Sequence, residues 1–194
     1  MSDSWDDYAD GWDDNKDVQK YAQLAFNSLV QKVNCKGLNV LDFGCGTGLL
    51  TEKLSTVCNQ IVAIDPSVKM AEILSQKHLT NVKVVADYLT PESILQHVEL
   101  QQSFDLIVAS SVCSFLPNYP KTLSLLTSLL TPNGHWVQWD WAAKNEGDFG
   151  LTKQSIEQAL IISGLNKRAL NVDFSMKAKE EVMDVYIAHG IKPS

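Results

Sequence analysis

Val40-Leu-Asp-Phe-Gly-Cys-Gly-Thr-Gly-Leu-Leu50 decides how this chain is built. Val40, Leu41 and Phe43 read as a short buried strand, with Asp42 near its end. Gly44, Gly46 and Gly48 follow at alternate positions, and Leu49, Leu50 and Leu54 then open an apolar helical pattern. Strand, glycine turn and helix together are how an α/β sheet shapes a nucleotide pocket. Glycine reaches φ > 0 and has no Cβ, so a ligand can approach the backbone, and a helix start leaves N–H groups pointing outward. Spacing narrows the ligand. A dinucleotide fingerprint runs G-x-G-x-x-G, and Leu49 stands where its last glycine belongs. No Lys-Ser/Thr pair follows the glycines, which excludes a phosphate-binding P-loop.

Further along, two more strands end in acids. Gln60–Asp65 is followed by Pro66 and Ser67, which close the strand and cap a helix over Val68–Lys77 with Met70 in the core. Asn81–Asp87 is followed by Tyr88. Asp42, Asp65 and Asp87 thus line the carboxyl edge of a parallel sheet, where ligands of open α/β folds bind. Asp65, roughly 20 residues past the glycines, is placed to hold a ribose diol.

The hydrophobic-Asp-Phe-Gly-Cys-Gly-Thr-Gly run resembles the first motif of the class I S-adenosylmethionine-dependent methyltransferases. The run Asp65-Pro-Ser-Val-Lys-Met70 resembles their second motif, and Phe104-Asp-Leu-Ile107 their F-D-x-I/V strand. The resemblance implies that Pro66 touches the adenine, Asp87 bonds its amino group and Tyr88 lies beside the ring. It also implies that backbone at Ser110 holds the methionine end. Many relatives carry a histidine in the segment after that strand, where this chain has Cys113 and Ser114.

Residues 1–17 hold seven aspartates against one lysine, so most of the net charge of −7 sits there; the remaining 16 acids and 15 bases nearly cancel. A near-neutral body without a basic stripe argues against a nucleic-acid partner. Trp5, Tyr8 and Trp12 are spaced for one helical face. The pattern W-D-x-x-A-x-x-W-D resembles the F-D-x-x-A-x-x-Y-D of ubiquinone/menaquinone-type methyltransferases, in which the last aromatic folds over the cofactor; Trp12 holds that place. A docked surface helix is the alternative. Val18–Val33 then reads as an amphipathic helix, making residues 1–33 a helical cover.

The rest follows the same alternation. Pro91–Gln101 reads as a short helix, Phe104–Ser110 as a central strand, Tyr119–Leu130 as a helix ended by the turn T-P-N-G, and His135–Trp141 as a strand. Trp139 and Trp141 share one face of it, Asp140 points the other way near the pocket, and His135 falls at the far, surface end. A polar loop 142–150, a helix from Thr152 to Ser163, and strands Lys167–Phe174 and Val182–His189 complete the chain.

At 194 residues the chain is read as one domain, 1–194: a doubly wound, seven-stranded, mostly parallel sheet with a C-terminal antiparallel hairpin, a Rossmann-like methyltransferase fold. No run reaches the ~18 apolar residues of a membrane span. No basic leader precedes an apolar segment, and Cys35, Cys45, Cys58 and Cys113 form no C-x-x-C pair. A reducing, cytoplasmic setting and no metal site are expected. The function expected is methyl transfer from S-adenosylmethionine to a small-molecule acceptor, with Asp140 and Tyr8 as candidate proton acceptors. Two alternatives stay open at this point: a non-catalytic regulatory or partner protein on the same fold, and an NAD-type oxidoreductase, against which Leu49 counts.

Overall fold

A computed structural model describes residues 5–178 and 181–194. The first four residues of the acidic segment lie outside the described residues. The chain divides into two compact units, Met1–Gln102 and Ser103–Ser194.

The first unit carries α1 (Lys16–Lys32), β1 (Asn39–Phe43), α2 (Leu49–Ser55), β2 (Gln60–Asp65), α3 (Val68–Gln76), β3 (Val82–Ala86) and α4 (Pro91–Gln96). Its strands run parallel in the order β3-β2-β1. Val40, Leu41 and Ile61 to Ile64 are all buried, as expected where helices cover both faces of a parallel sheet. α1 starts two residues before its apolar pattern because Asn15 caps it, the side chain accepting from Asp17 N at 2.9 Å and from Val18 N. Ser67 caps α3 through Met70 N.

Two local expectations fail here. Trp5 to Trp12 is not one helix but two 3-10 turns, Trp5–Tyr8 and Trp12–Asp14, separated at Gly11, which is left-handed at φ 75. The helix expected over Pro91–Gln101 stops at Gln96, because His97 turns to an extended backbone and its ring bonds Asp87; a 3-10 turn, Val98–Leu100, follows.

The second unit carries β4 (Phe104–Ser110), α5 (Tyr119–Ser128), β5 (Leu130–Trp141), α6 (Lys153–Ile162), β6 (Asn166–Ala178) and β7 (Glu181–Ile191). The order is β4-β5-β7-β6, with β4 and β5 parallel and β7 antiparallel to both its neighbours. T-P-N-G is not a separate turn. It bulges within β5, where pairing jumps from Phe104↔Leu130 to Leu106↔His135 and Asn133 takes φ 62. Lys192 O holds the bulge through Asn133 N at 3.0 Å. His135 is not a surface group either: it is part-buried, its Nδ1 lies 2.9 Å from Nε2 of His189, and burial lowers its pKa.

The chain therefore has the seven-stranded, mostly parallel sheet with a C-terminal antiparallel hairpin that the sequence predicts. Among the described residues no helix is long and apolar enough to cross a membrane.

The packing of α3 sets one test. A Cβ on Gly48 would lie 2.2 Å from Leu74 Cδ1, at φ 84, and Leu74 is fully buried. Gly48→Ala should lower stability by about 1–3 kcal/mol through overpacking and left-handed strain. Urea unfolding with an unchanged midpoint would show that Leu74 yields freely.

Candidate functional site

The glycine turn is built by three left-handed residues, Gly44 (φ 69), Gly46 (φ 54) and Gly48 (φ 84). It wraps over the end of β2, with Gly44 N and Cys45 N both donating to Ile64 O. Asp65 then ties it down. One carboxylate oxygen accepts from Gly46 N at 2.8 Å, the other from Ser67 N at 2.9 Å. The glycines differ in what they serve. Gly48 lets α3 pack closely, whereas a Cβ on Gly46 would meet nothing within 4 Å. The backbone beside Asp65 is therefore open on that side, and a ligand can lie against it.

The strand-end acids are not equally presented at the carboxyl edge of β1, β2 and β3. Asp42 lies inside β1 opposite Ala63, only 1% exposed, and accepts from Thr51 Oγ1 of α2 at 2.6 Å. Both faces of β1 are covered, so its carboxylate is trapped beneath the turn rather than presented to a ligand. Burial pushes its pKa up to about 7, with Thr51 opposing and the charge of Asp65 adding. Asp65 is buried but less deeply, and burial raises it too, against the N–H groups of Ser67 and Gly46. Asp87 follows β3. His97 Nε2 at 3.0 Å and Tyr88 N at 2.7 Å bond its carboxylate, and the histidine contact chiefly lowers its pKa. Tyr88 is 69% exposed and Pro66 half-buried.

Groups that the sequence reading missed hold the N-terminal segment on this turn. Asp6 accepts from Ser67 Oγ and from Lys69 N at 3.2 Å, at the start of α3. Asp13 accepts from Thr47 Oγ1, inside the glycine turn, and pairs with Lys77 at 2.8 Å; Lys77 also reaches Glu52 at 3.3 Å. The signal was present as a repeated dipeptide, Trp5-Asp6 and Trp12-Asp13. The aromatics meet above it: Trp5 lies 5.8 Å from Tyr8 and 6.2 Å, edge-on, from Trp12. Tyr8 is half exposed and Trp12 half-buried.

In the second unit Ser110 ends β4, and Ser111 follows at φ 57 with its N–H on Trp139 O at 2.7 Å. Asp140 is fully buried. It accepts from Ser114 N at 3.1 Å and Gln138 Nε2 at 3.2 Å, and burial pushes its pKa up to about 7. Cys113 is buried beside it, and burial first and then the Asp140 charge push its thiol pKa up. Among the described residues no group of three or more His, Cys, Asp or Glu could hold a metal ion.

A family profile described as "Methyltransferase domain" matches residues 41–136, which spans the glycine turn and the three strand-end acids Asp42, Asp65 and Asp87. A ubiquinone biosynthesis O-methyltransferase of Bradyrhizobium diazoefficiens is 32% identical over 122 residues, 62% of this chain and 47% of that protein. An uncharacterised methyltransferase of Schizosaccharomyces pombe is 30% identical over 104 residues, 50% of this chain and 37% of that protein. The chain thus matches about half the length of these curated relatives or less. Two solved structures share the fold. The N-methyltransferase NodS of Bradyrhizobium japonicum, in complex with S-adenosylhomocysteine, has TM-score 0.68 and 19% identity, covering 99% of this chain and 100% of that one. The magnesium protoporphyrin IX methyltransferase of Synechocystis, with bound S-adenosylmethionine, has TM-score 0.68 and 19% identity, covering 91% and 82%.

Asp42 gives a pH test. Its pKa is about 7 in the folded chain, against ~3.9 for an ordinary unfolded aspartate. A group raised on folding stabilises fully below its unfolded pKa, and that contribution is lost as pH rises through the folded value. Asp42→Asn should therefore gain stability relative to wild type as pH rises from ~4 to ~7. Part-buried His135 works in the opposite direction but cancels in the difference. A pH-independent difference in urea midpoints would rule out a protonated, buried Asp42.

Proposed function

The chain belongs to the class I S-adenosylmethionine-dependent methyltransferases, and from that premise we propose that it transfers the cofactor's methyl group to a small-molecule acceptor. The observation that carries this reading is the open backbone face at Gly46 beside the Asp65 carboxylate. The residues fit the cofactor. Each Asp65 oxygen takes one N–H and keeps a lone pair for a ribose hydroxyl. Gly44, Gly46 and Gly48 keep alternate positions of the turn free of side chains, Pro66, Asp87 and Tyr88 are assigned to the adenine, and Ser110 to the methionine end. Asp42 is assigned to support the turn from below. When bound, S-adenosylmethionine supplies an electrophilic methyl on a sulfonium.

The chain's own contribution is to hold and orient two reactants and to exclude water, which can supply most of the acceleration. Tyr8 is half exposed, whereas Asp140 has both carboxylate oxygens engaged and no exposed surface. A small acceptor is favoured over a nucleic acid by the near-neutral body. That a similar protein is an O-methyltransferase of ubiquinone biosynthesis supports the same reading. We assign both units to a single methyltransferase domain, with residues 1–33 as its cover and Trp12 nearest the cofactor.

Asp65→Ala should weaken S-adenosylmethionine binding by about 1.5–3 kcal/mol, roughly ten- to a hundredfold. Unchanged calorimetric affinity in a folded variant would remove Asp65 from the site. Radiolabelled methyl transfer, screened over phenols, amines, carboxylates and thiols, should return a methylated product. Cofactor binding with no product from cell metabolite pools would favour the non-catalytic reading instead.

The cover has its own readout. Hydrogen exchange in Trp5–Trp12 should slow when S-adenosylmethionine is added, because a closed lid shields both backbone and ligand. Identical exchange with and without the cofactor would leave the segment as a docked surface element.

A further inference from the structure

A run of buried polar groups in the second unit lies outside the residues assigned to the cofactor. Gln138 lies in β5 between Trp136 and Asp140 on one face, and all three side chains are fully buried. Its amide oxygen accepts twice, from Tyr119 O–H and from Trp136 Nε1 at 3.1 Å. The Trp136 N–H can only donate, so the amide oxygen must face it and the NH2 points toward Asp140 Oδ2 at 3.2 Å, with the Tyr119 O–H turned to donate as well. The other Asp140 oxygen accepts Ser114 N at 3.1 Å. Ser114 N–H and the Gln138 NH2 can only donate to Asp140, and the Ser114 hydroxyl and Cys113 thiol lie beside the same carboxyl group.

Ser114 belongs to the 3-10 turn Cys113–Phe115 that follows β4. β5 therefore grips this segment twice, at Ser111 through the Trp139 carbonyl and at Ser114 through the Asp140 carboxylate. The segment carries Phe115, 45% exposed, whose ring meets Phe149 of the loop after β5 with centroids 6.0 Å apart and planes at 61°. Phe149 is 54% exposed. Two large apolar rings thus stand half in solvent beyond the carboxyl ends of β4 and β5, the end of a parallel sheet at which ligands are bound.

We propose that Gln138 and Asp140 are positioning residues for methyl transfer: Gln138 orients Asp140, and Asp140 fixes the Ser114–Phe115 segment so that Phe115 and Phe149 present a rigid apolar wall to the acceptor. The proposal rests on the methyltransferase reading. It gives Asp140 a role through Ser114 and not as the proton acceptor of the reaction, which accords with its lack of exposed surface.

The donor pattern can be inverted without changing size. In Asp140→Asn, either amide orientation sets an NH2 against a fixed donor, Ser114 N–H or the Gln138 NH2. At a pH well above 7, where Asp140 is ionised, Gln138→Glu sets two carboxylates face to face. In the double variant Q138E/D140N the pattern closes again. The carboxylate now at position 138 accepts from Tyr119, from Trp136 and from the NH2 now at position 140, and the amide oxygen at position 140 accepts from Ser114 N–H. The experiment measures hydrogen exchange at residues 111–116, calorimetric affinity for S-adenosylmethionine, and KM for whichever acceptor the methyl-transfer screen returns. Each single variant should exchange the Ser114 and Phe115 amides about tenfold faster, the worth of one lost hydrogen bond. Acceptor KM should rise by a similar factor with cofactor affinity within about twofold. The double variant should return both to wild-type values. If a single variant fails to fold, the double variant should fold and unfold at a higher temperature than either single.

Unchanged exchange at Ser114 in a folded single variant would overturn the proposal, as would a double variant no better than the singles. Faster exchange with unchanged acceptor KM would reduce the network to packing and end the positioning role. Failure of the wild type to bind S-adenosylmethionine would instead sink the methyltransferase reading, and would show before any variant is compared.

Discussion

The first unit depends on one carboxylate held between two backbone N–H groups. Asp65 bonds Gly46 on one oxygen and Ser67 on the other, joining the turn after β1 to the start of α3. Hydrogen bonds to an ionised acceptor are roughly twice as strong as neutral ones, and here they act where charge is expensive to bury. The charge of Asp6 raises the Asp65 pKa, and that of Asp65 raises Asp42. Three acids around one turn would repel strongly if N–H and O–H donors did not engage each of them. The left-handed glycines make the geometry possible, but it is Asp65 that makes the turn a fixed surface and not a loose loop.

Much of this could be read from the chain because its causes are local. The glycines at 44, 46 and 48 demand φ > 0 whatever surrounds them. The apolar runs of β1, β2 and β4 can only be strands buried on both faces. What escaped was set by partners distant in sequence. Asp42 was placed at a sheet edge because its strand ends there, yet Thr51, nine residues on, draws the carboxylate underneath. T-P-N-G has turn chemistry, but Lys192, 59 residues later, holds it as a bulge inside a continuing strand. The aromatic spacing at 5, 8 and 12 fits a helix, but a left-handed Gly11 intervenes. Gln138 was passed over as one polar residue in an aromatic strand; its importance lies in saturation, which only the positions of Tyr119, Trp136 and Asp140 reveal.

The two units solve a similar problem with different means. In the first, a partly buried acid is satisfied by backbone donors of a turn and a helix start. In the second, a fully buried acid is satisfied by one backbone N–H and one amide whose orientation is dictated from behind. Burial raises both acids, so both are groups whose ionisation the fold must support through hydrogen bonds and not through a counter-cation. Such arrangements are sensitive to the loss of any one donor, since the remaining group keeps its full desolvation penalty.

The paired Trp-Asp dipeptides of the N-terminal segment have a consequence for how tightly anything can bind. Asp6 occupies the Ser67 hydroxyl and the Lys69 N–H, and Asp13 occupies the Thr47 hydroxyl. The protein thus carries an internal occupant for these donors, tethered and therefore always present. A ligand that uses any of them must displace a carboxylate of the same chain, so its apparent affinity is the intrinsic affinity scaled by the fraction of molecules in which that donor is released. Salt weakens the ionic part of this hold, the half-buried Asp13–Lys77 pair. Ionic strength then tunes the competition from inside the molecule.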